Sequence, residues 1–470
     1  MTDHRLLGLA ASDCRSRGEA LPPFPSPDGD NAALMQLLNE ASQLLCQWLG
    51  AANQQGPRPT LNLEPATAPL QLGRNSDELL ADLSGLMAGS FRPNHPGALA
   101  HLDPPPLNLS IAADLIAAGL NNNLLAEELS PALTRLERRL CRWLAATLGL
   151  GELASGVPCS GGSLSNLMAL VCARDAAGLR NHNQAVVICG ASAHVSLDKA
   201  IAVMGLSTDA LWRLPLDGSG KLPPEAVEQA IQTARKQSRL PIAVVATAGT
   251  TIQGQVDPLQ ALAQICRQAG LWLHVDGAIG AVCGLVASQR WRVAGIEAAD
   301  SVTLNPQKLL GVTKPSSLLL LRKGEQLQRS FGTGLPYMEC GSGAQGGELG
   351  LQVTRGAEVL KLWLSLQHLG MQGIADLLDG AFSRAAELRR LLQPHPLRLL
   401  PGCLHLVSFT SNASDRSAWR DRTHRQLLEN ELWLSRPDLD GEPLLKAVLG
   451  NPFTQACQLE QLTKVVVANL

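Results

Sequence analysis

Lys308 falls in the run Thr-Leu-Asn-Pro-Gln-Lys-Leu-Leu-Gly (303 to 311), 32 residues after Asp276, which closes the apolar run Leu-Trp-Leu-His-Val-Asp. An amine on a turn can bond an aldehyde carbon, and a buried carboxylate can hold a nearby ring nitrogen in its protonated form. Upstream, Cys-Ser-Gly-Gly-Ser-Leu-Ser-Asn (159 to 166) runs straight into a helical pattern. Small residues there let the backbone approach an anion closely, and the free N–H groups and helix dipole favour its charge. Gly162 and Ser163 are therefore phosphate candidates. Amine, carboxylate and anion-binding turn are the three parts needed to hold pyridoxal phosphate, with Lys308 as its Schiff-base lysine.

Two further residues have fitting chemistry. His194, in Ala-Ser-Ala-His-Val-Ser-Leu-Asp-Lys, follows an apolar run, where an imidazole could lie flat on a cofactor ring and act as acid or base near a substrate Cα. Thr247-Ala-Gly-Thr-Thr (to 251) supplies hydroxyls after another such run. Each piece alone has a plainer reading: Asp276 as a turn cap, the Gly-Gly-Ser as an ordinary helix start, His194 as a hydrogen-bonded loop residue. Ligands gather outside the carboxyl ends of strands in open α/β sheets, so Thr251, Asp276 and Lys308 are expected to face one cleft.

Those residues need a sheet and helices to position them. Apolar runs at Ala185 to Cys189, Ile242 to Thr247, Leu271 to Asp276 and Leu318 to Leu321 read as buried strands. Ser165 to Ala177, Pro224 to Gln237 and Pro258 to Ala269 read as helices between them. Uniformly apolar strands separated by helices indicate an α/β fold with a mostly parallel sheet covered on both faces. Before this region, residues 1–30 hold Pro-Pro-Phe-Pro-Ser-Pro-Asp-Gly and read as a flexible leader, and Asn31 to Leu49 has helical spacing. A long helical pattern runs from about Arg355 to Leu369. The expected organisation is a leader (1–30), an N-terminal helical arm (31–105), a large cofactor-binding α/β domain (106–365) and a small C-terminal α/β domain (366–470).

Composition narrows the partners. With 45% apolar and 17% charged residues over 470 positions, the chain can bury a sizeable core. A net charge of −2 and no long Lys/Arg run argue against nucleic acid or an anionic membrane as partner. No apolar run is long enough to cross a bilayer, and no targeting segment is evident. The eleven cysteines are scattered and never form Cys-x-x-Cys, which suits a reducing, cytoplasmic setting better than a disulfide framework or a zinc site.

The ordered motifs also resemble a known family. His95-Pro96 with His101-Leu-Asp-Pro-Pro-Pro, Glu128-Leu-Ser-Pro, Ser-Gly-Gly-Ser-Leu-Ser-Asn, Ala-His-Val-Ser-Leu-Asp-Lys, Ala-Gly-Thr-Thr-Ile-Gln-Gly-Gln-Val-Asp-Pro, His-Val-Asp-Gly-Ala, Asn-Pro-Gln-Lys and Lys361-Leu-Trp-Leu run in family order. Together they are similar to the pyridoxal-phosphate-dependent group II amino-acid decarboxylases, which act on glutamate, cysteine sulfinate, aromatic amino acids or diaminobutyrate. The resemblance implies the type I, aspartate-aminotransferase-like fold and decarboxylation of an L-amino acid to its amine and CO2. By the same match, Lys308 bonds the cofactor, Asp276 pairs with its ring nitrogen, and His194 stacks on the ring. Thr251 and Ala278 lie beside the cofactor, and Gly162, Ser163, Asn305 and Gln307 surround its phosphate. Tyr337, the chain's single tyrosine, matches the loop residue that protonates the substrate carbon, 29 residues after Lys308. Glycines at 332, 334, 341, 343, 346 and 347 give that segment the composition of a closing lid. Aldehyde-forming relatives tend to replace this tyrosine, so its retention argues for simple decarboxylation. Another reaction of the cofactor on the same scaffold, that of an aldehyde synthase or other lyase, is the nearest alternative, and a catalytically silent paralogue is the second.

Three segments depart from the family pattern. Gln307 stands where His is usual and can donate a hydrogen bond to phosphate without carrying charge. Gly277 and Ile279 alter the usual His-Val-Asp-Ala-Ala-aromatic run, which is expected to thin the pocket wall. Lys446 replaces an Arg that grips the substrate carboxylate in glutamate decarboxylases, giving a point charge in place of a bidentate fork. His101 and Lys446 are thus the substrate-binding candidates, and the resemblance implies a homodimer with active sites at its interface.

Overall fold

Seven strands form the floor of the site: β1 (Ser155–Cys159), β2 (Ala185–Gly190), β3 (Leu211–Leu214), β4 (Leu240–Thr247), β5 (Trp272–Gly277), β6 (Ser301–Leu304) and β7 (Ser317–Leu321). They lie in the order β1-β7-β6-β5-β4-β2-β3. β7 alone runs antiparallel to its neighbours, so the sheet is mostly parallel, as the apolar runs imply. In this computed structural model, residues 22–59, 64–180, 182–334 and 345–470 are described.

Burial follows from composition. The central residues of β4, Ile242 to Ala246, are no more than 2% exposed, and β7 is buried from end to end. Each fully buried Val, Leu or Ile contributes about 1.5–3 kcal/mol, so these strands supply much of the driving force for folding. The helices Gly162–Ala176, Pro224–Lys236 and Leu259–Ala269 connect the strands and cover them, close to the expected spans.

Three strands were not foreseen. β1 holds a Gly and a Pro, β3 is half-buried, and β6 alternates Ser and Thr with apolar residues, so none reads as a continuous apolar run. The long helix extends from Glu358 to Leu392, well past Leu369. Gly370, at φ 60° and ψ 179°, breaks the helical geometry there, which is why the sequence periodicity stops at Leu369 while the chain resumes its helix beyond.

Two units are distinct, residues 1–98 and 99–470. The first contains the helices Ala32–Gly50 and Ser76–Ala88, the latter started by a capping box between Asn75 and Glu78. In the second, C-terminal to the long helix, strands β8 (Leu397–Leu399) and β9 (Leu406–Ser411) precede a two-stranded ribbon of β10 (Asp438–Leu439) and β11 (Glu442–Pro443). The strand β12 (Leu445–Val448) then pairs with β9, completing a three-stranded antiparallel sheet. Helices Arg416–Glu429 and Ala456–Ala468 share with it a core around Phe409, Trp419 and Leu462. The position 365/366 lies inside the long helix. A bidentate ion pair between Arg355 and Glu137, at 2.8 and 2.9 Å, is almost fully buried; breaking one partner of such a pair costs about 3–5 kcal/mol.

Candidate active site

The parallel strands all end on the same side, and the turns that leave them carry the candidate residues. β1 leads into Gly162 and Ser163, β2 into His194, β4 into Thr251, β5 ends at Asp276 and Gly277 before Ala278, and β6 runs into Asn305, Gln307 and Lys308. Register aligns Thr247 with Asp276 and Asp276 with Thr303 across three adjacent strands. All nine cofactor candidates, Gly162, Ser163, His194, Thr251, Asp276, Ala278, Asn305, Gln307 and Lys308, line one cavity of about 190 Å³.

The candidate anion side is the start of the helix Gly162–Ala176, where the Gly161 carbonyl takes up the Leu164 and Ser165 N–H groups and those of Gly162 and Ser163 have no intrahelical carbonyl to satisfy them. A Cβ at Gly162 would lie 3.0 Å from Asn305 Nδ2 and 3.7 Å from the Ala278 methyl, so a side chain there would fill the cradle. Asn305 accepts from Ser317 Oγ at 2.6 Å through Oδ1, which turns its Nδ2 toward that cradle. Gln307 is fixed likewise: its Oε1 accepts from Ser316 N–H at 2.6 Å, leaving Nε2 as the free donor. The exchange of His for Gln therefore keeps a donor and removes a titratable ring.

Lys308 sits in the short helix Pro306–Leu309, and its amine has no hydrogen-bond or ion-pair partner among the described residues. Burial pushes this ammonium below its ordinary range, opposed by Asp276 and Asp103. An amine that loses its proton readily is the form able to attack an aldehyde carbon. Asp276 accepts from Asn166 Nδ2 at 2.9 Å and from Ala278 N–H at 3.2 Å. His194 Nδ1 accepts from the Ser196 backbone N–H at 3.1 Å, which puts the ring proton of the neutral form on Nε2. Burial lowers the pKa of His194, and Asp276 partly opposes the shift.

The turn carrying Thr251 is held by Asp257, whose carboxylate accepts from Thr247 N–H at 2.7 Å and Leu222 N–H at 2.8 Å. Gly249 in this turn has φ +112°, and a Cβ there would meet Ile279 at 2.7 Å, so only glycine fits. Lys446, on β12, reaches the Thr251 carbonyl at 3.3 Å and is 8% exposed. Burial and the neighbouring Lys308 lower its pKa to about 8. His101 is exposed and meets Trp433 edge-on at 5.1 Å; it is not among the residues lining the cavity.

Two expectations are corrected. Gly277 does not thin the pocket wall, because a Cβ there would press on Ala281 at 2.6 Å and on the Thr303 carbonyl at 2.9 Å, away from the cavity formed by Asp276, Ala278 and Ile279. Strand alternation turns position 277 to the opposite face from 276. Gly346 and Gly347 are not parts of an exposed lid: both are buried, and a side chain on either would collide with Leu124 or Leu125. Tyr337, Gly341 and Gly343 lie outside the described residues. Beside them, Glu348 accepts from Thr333 N–H at 3.0 Å and Gly334 N–H at 2.5 Å. Thr247 lines the cavity as well, and so do two residues to which the sequence motifs assign no role, Ser192 and Asn166. Asn166 was within reach, since it stands four residues after Gly162 and so on the same helix face.

The cavity residues fit pyridoxal phosphate: an unpartnered amine, a carboxylate at strand depth and a glycine cradle at a helix start. Residues 58–398 match the pyridoxal-dependent decarboxylase conserved domain. The chain belongs to this family. The decarboxylase is 32% identical to human cysteine sulfinic acid decarboxylase over 397 residues, covering 78% of each chain. It is 28% identical to the aromatic-L-amino-acid decarboxylase of Bacillus atrophaeus over 393 residues, covering 80% of this chain and 81% of that protein. The solved structure of Oryza sativa TDC with PLP and tryptamine superposes with a TM-score of 0.87 at 22% identity, over 95% of this chain and 99% of that one, which establishes the shared type I fold. The decarboxylase is thus a pyridoxal-phosphate-dependent carboxy-lyase acting on an amino acid. No helix among its described residues is long and apolar enough to cross a membrane.

Proposed function

We propose that Lys308 holds the cofactor through its amine, that Asp276 faces the ring nitrogen, and that this site decarboxylates an L-amino acid to its amine. The observation that carries the assignment is the convergence of Lys308, Asp276, His194 and the Gly162–Ser163 turn, from four separate segments, on one cavity of about 190 Å³. Bound pyridoxal phosphate supplies an electron sink for the bond to the departing carboxylate. Gly162, Ser163, Asn305 and Gln307 donate to the phosphate, Thr251 and Ala278 flank the cofactor, and His194 covers its ring with Nε2–H available. Tyr337 returns a proton to the substrate Cα.

Lys446 is the proposed seat of an anionic substrate group. It is a buried cation with no carboxylate partner among the described residues, and although it is not among the residues lining the cavity, its amine donates to the carbonyl of Thr251, which is. His101 contributes at the outer end of the same substrate region, with Lys446 close enough to influence its titration. We also assign the protein to the cytoplasm as a homodimer. Nine cysteines among the described residues are free, and Leu115, Ile116 and Leu120 expose one apolar stretch of the helix Asn108–Leu120, which supports a subunit contact. Incubating the loaded protein with a panel of L-amino acids and measuring CO2 and amine together tests the reaction; equal yields of the two are expected for at least one substrate. Release of an aldehyde with ammonia, or no CO2 from any member, would overturn it.

A further inference from the structure

Behind Asp276 runs a buried polar chain with no part in the cavity wall beyond its last members. Trp272, His274 and Asp276 share one face of β5 by strand alternation, and Ser301 and Thr303 share the matching face of β6. Trp272 Nε1–H donates to Ser301 Oγ at 2.8 Å, and Ser301 Oγ lies 2.8 Å from His274 Nδ1. His274 Nε2 lies 3.0 Å from Asn166 Oδ1, and Asn166 Nδ2 donates to Asp276 Oδ2 at 2.9 Å. Thr303 Oγ donates to the same Asn166 oxygen at 2.8 Å. His274, Ser301 and Thr303 are fully buried, whereas the Trp272 indole reaches a surface cleft near the far end of the sheet.

The hydrogens in this chain can be assigned by elimination. Indole N–H is only a donor, so Ser301 must accept from it. Burial lowers His274 to about 4, so its ring is neutral and has one N–H. If that proton were on Nδ1, Ser301 would accept twice and its own hydrogen would have no recorded acceptor. His274 Nε2 would then face the Asn166 oxygen lone pair to lone pair, and turning the amide to relieve this would set its oxygen against the Asp276 carboxylate. With the proton on Nε2 every donor meets an acceptor, and each link points toward Asp276. A closed chain of this kind adds little to stability over a well-packed apolar face, so five polar residues on buried strand faces call for another reason.

We propose that Trp272, Ser301, His274 and Asn166 are positioning residues that form a one-way donor chain, presenting Asp276 to the cofactor ring nitrogen as an acceptor only. The proposal rests on the assignment of Asp276 given above. An acceptor fixed in this way favours the protonated ring, and the direction is set from both ends, by the Asp276 carboxylate through Asn166 and by the donor-only indole of Trp272.

The test reads protons in the whole protein rather than turnover. In protein with 15N-labelled histidine, with and without pyridoxal phosphate, His274 is expected to be neutral with its proton on Nε2 from pH 6 to 8, its signal identified by its loss in His274→Gln. A proton on Nδ1, or an imidazolium, overturns the direction. Trp272→Phe, a change at the rim, leaves the Asp276 end of the chain intact and should keep the single Nε2 tautomer; a mixture, or a proton on Nδ1, overturns the direction set by Asp276 through Asn166. With 15N in the cofactor ring, His274→Leu should move the ring signal toward neutral pyridine and weaken cofactor affinity about tenfold, while His274→Gln, which keeps an N–H toward Asn166, should restore both. An unmoved ring signal in folded His274→Leu contradicts the chain alone if Asp276→Asn still shifts it. If Asp276→Asn leaves it unmoved too, the assignment of Asp276 falls and the proposal with it.

Discussion

The Asn166 amide and the Asp276 carboxylate meet at 2.9 Å, joining the helix that starts at the anion cradle to the end of β5. One helix therefore bears on both ends of the cavity, its N-terminus at the Gly162–Ser163 turn and its second turn at Asp276. The groups proposed to hold the phosphate and the ring nitrogen thus belong to or touch a single rigid element, the arrangement on which precise positioning of a reacting bond depends.

Asp276 is expected to matter through charge. Asp276→Asn keeps the shape of the site but offers the ring nitrogen no anion, so kcat should fall roughly a thousandfold, about 4 kcal/mol of barrier, with the protein still folded. Steady-state kinetics on the best substrate check this, and a loss below tenfold would contradict the role.

Tyr337→Phe is expected to change the products more than the consumption of substrate. Without a proton donor the substrate carbanion should follow side routes such as oxidative deamination, with dissolved O2 taking the two electrons and aldehyde and ammonia released, so amine per CO2 should drop well below one. Unchanged amine yield would remove Tyr337 as the donor.

Fold and site were legible in the sequence to different depths. β2, β4 and β7 were readable because each is apolar on both faces, and β5 because its apolar run is broken only by His274 before Asp276, whereas β6 was not, since Ser301 and Thr303 interrupt the pattern although they are fully buried. The polarity that hid the strand is the polarity that ties it to His274 and Asn166. Cofactor candidates were readable because their turns follow strands and carry rare residue types. Asn166 and Ser192 were not singled out, because their importance lies in partners distant in sequence. Gly277 misled because one-dimensional adjacency to Asp276 says nothing about which face a strand residue takes.

Lys446 predicts an alkaline limb. Its ammonium, lowered to about 8 by burial, is the form that binds an anionic group, so KM should rise as pH climbs from about 8 upward. Lys446→Met should raise KM about 10- to 100-fold and flatten that limb. In the free protein the same shift has a stability consequence: the burial penalty is fully present below pH about 8 and is relieved as the pH rises toward 10.5. A KM unaffected by either change would contradict the substrate role.

His405 predicts acid lability. It is fully buried, neither ring nitrogen has a hydrogen-bond partner among the described residues, and burial lowers its pKa to about 3. Below the ordinary value of 6.5 the unfolded chain takes up a proton that the folded one refuses, so stability falls from there down to about pH 3, by roughly 5 kcal/mol in all. His405→Leu should leave stability near pH 7.5 little changed and move the acid-unfolding midpoint down. Coincident acid-unfolding curves for the two proteins would refute this.

The central claim is that Lys308 holds the cofactor. Borohydride reduction of the protein loaded with pyridoxal phosphate, followed by proteolysis and peptide mass mapping, tests it directly. The account predicts a pyridoxyl group on Lys308, with loss of the cofactor's visible absorbance band and of activity in Lys308→Ala. A stable label on another lysine, or a cofactor band that persists in Lys308→Ala, would contradict it.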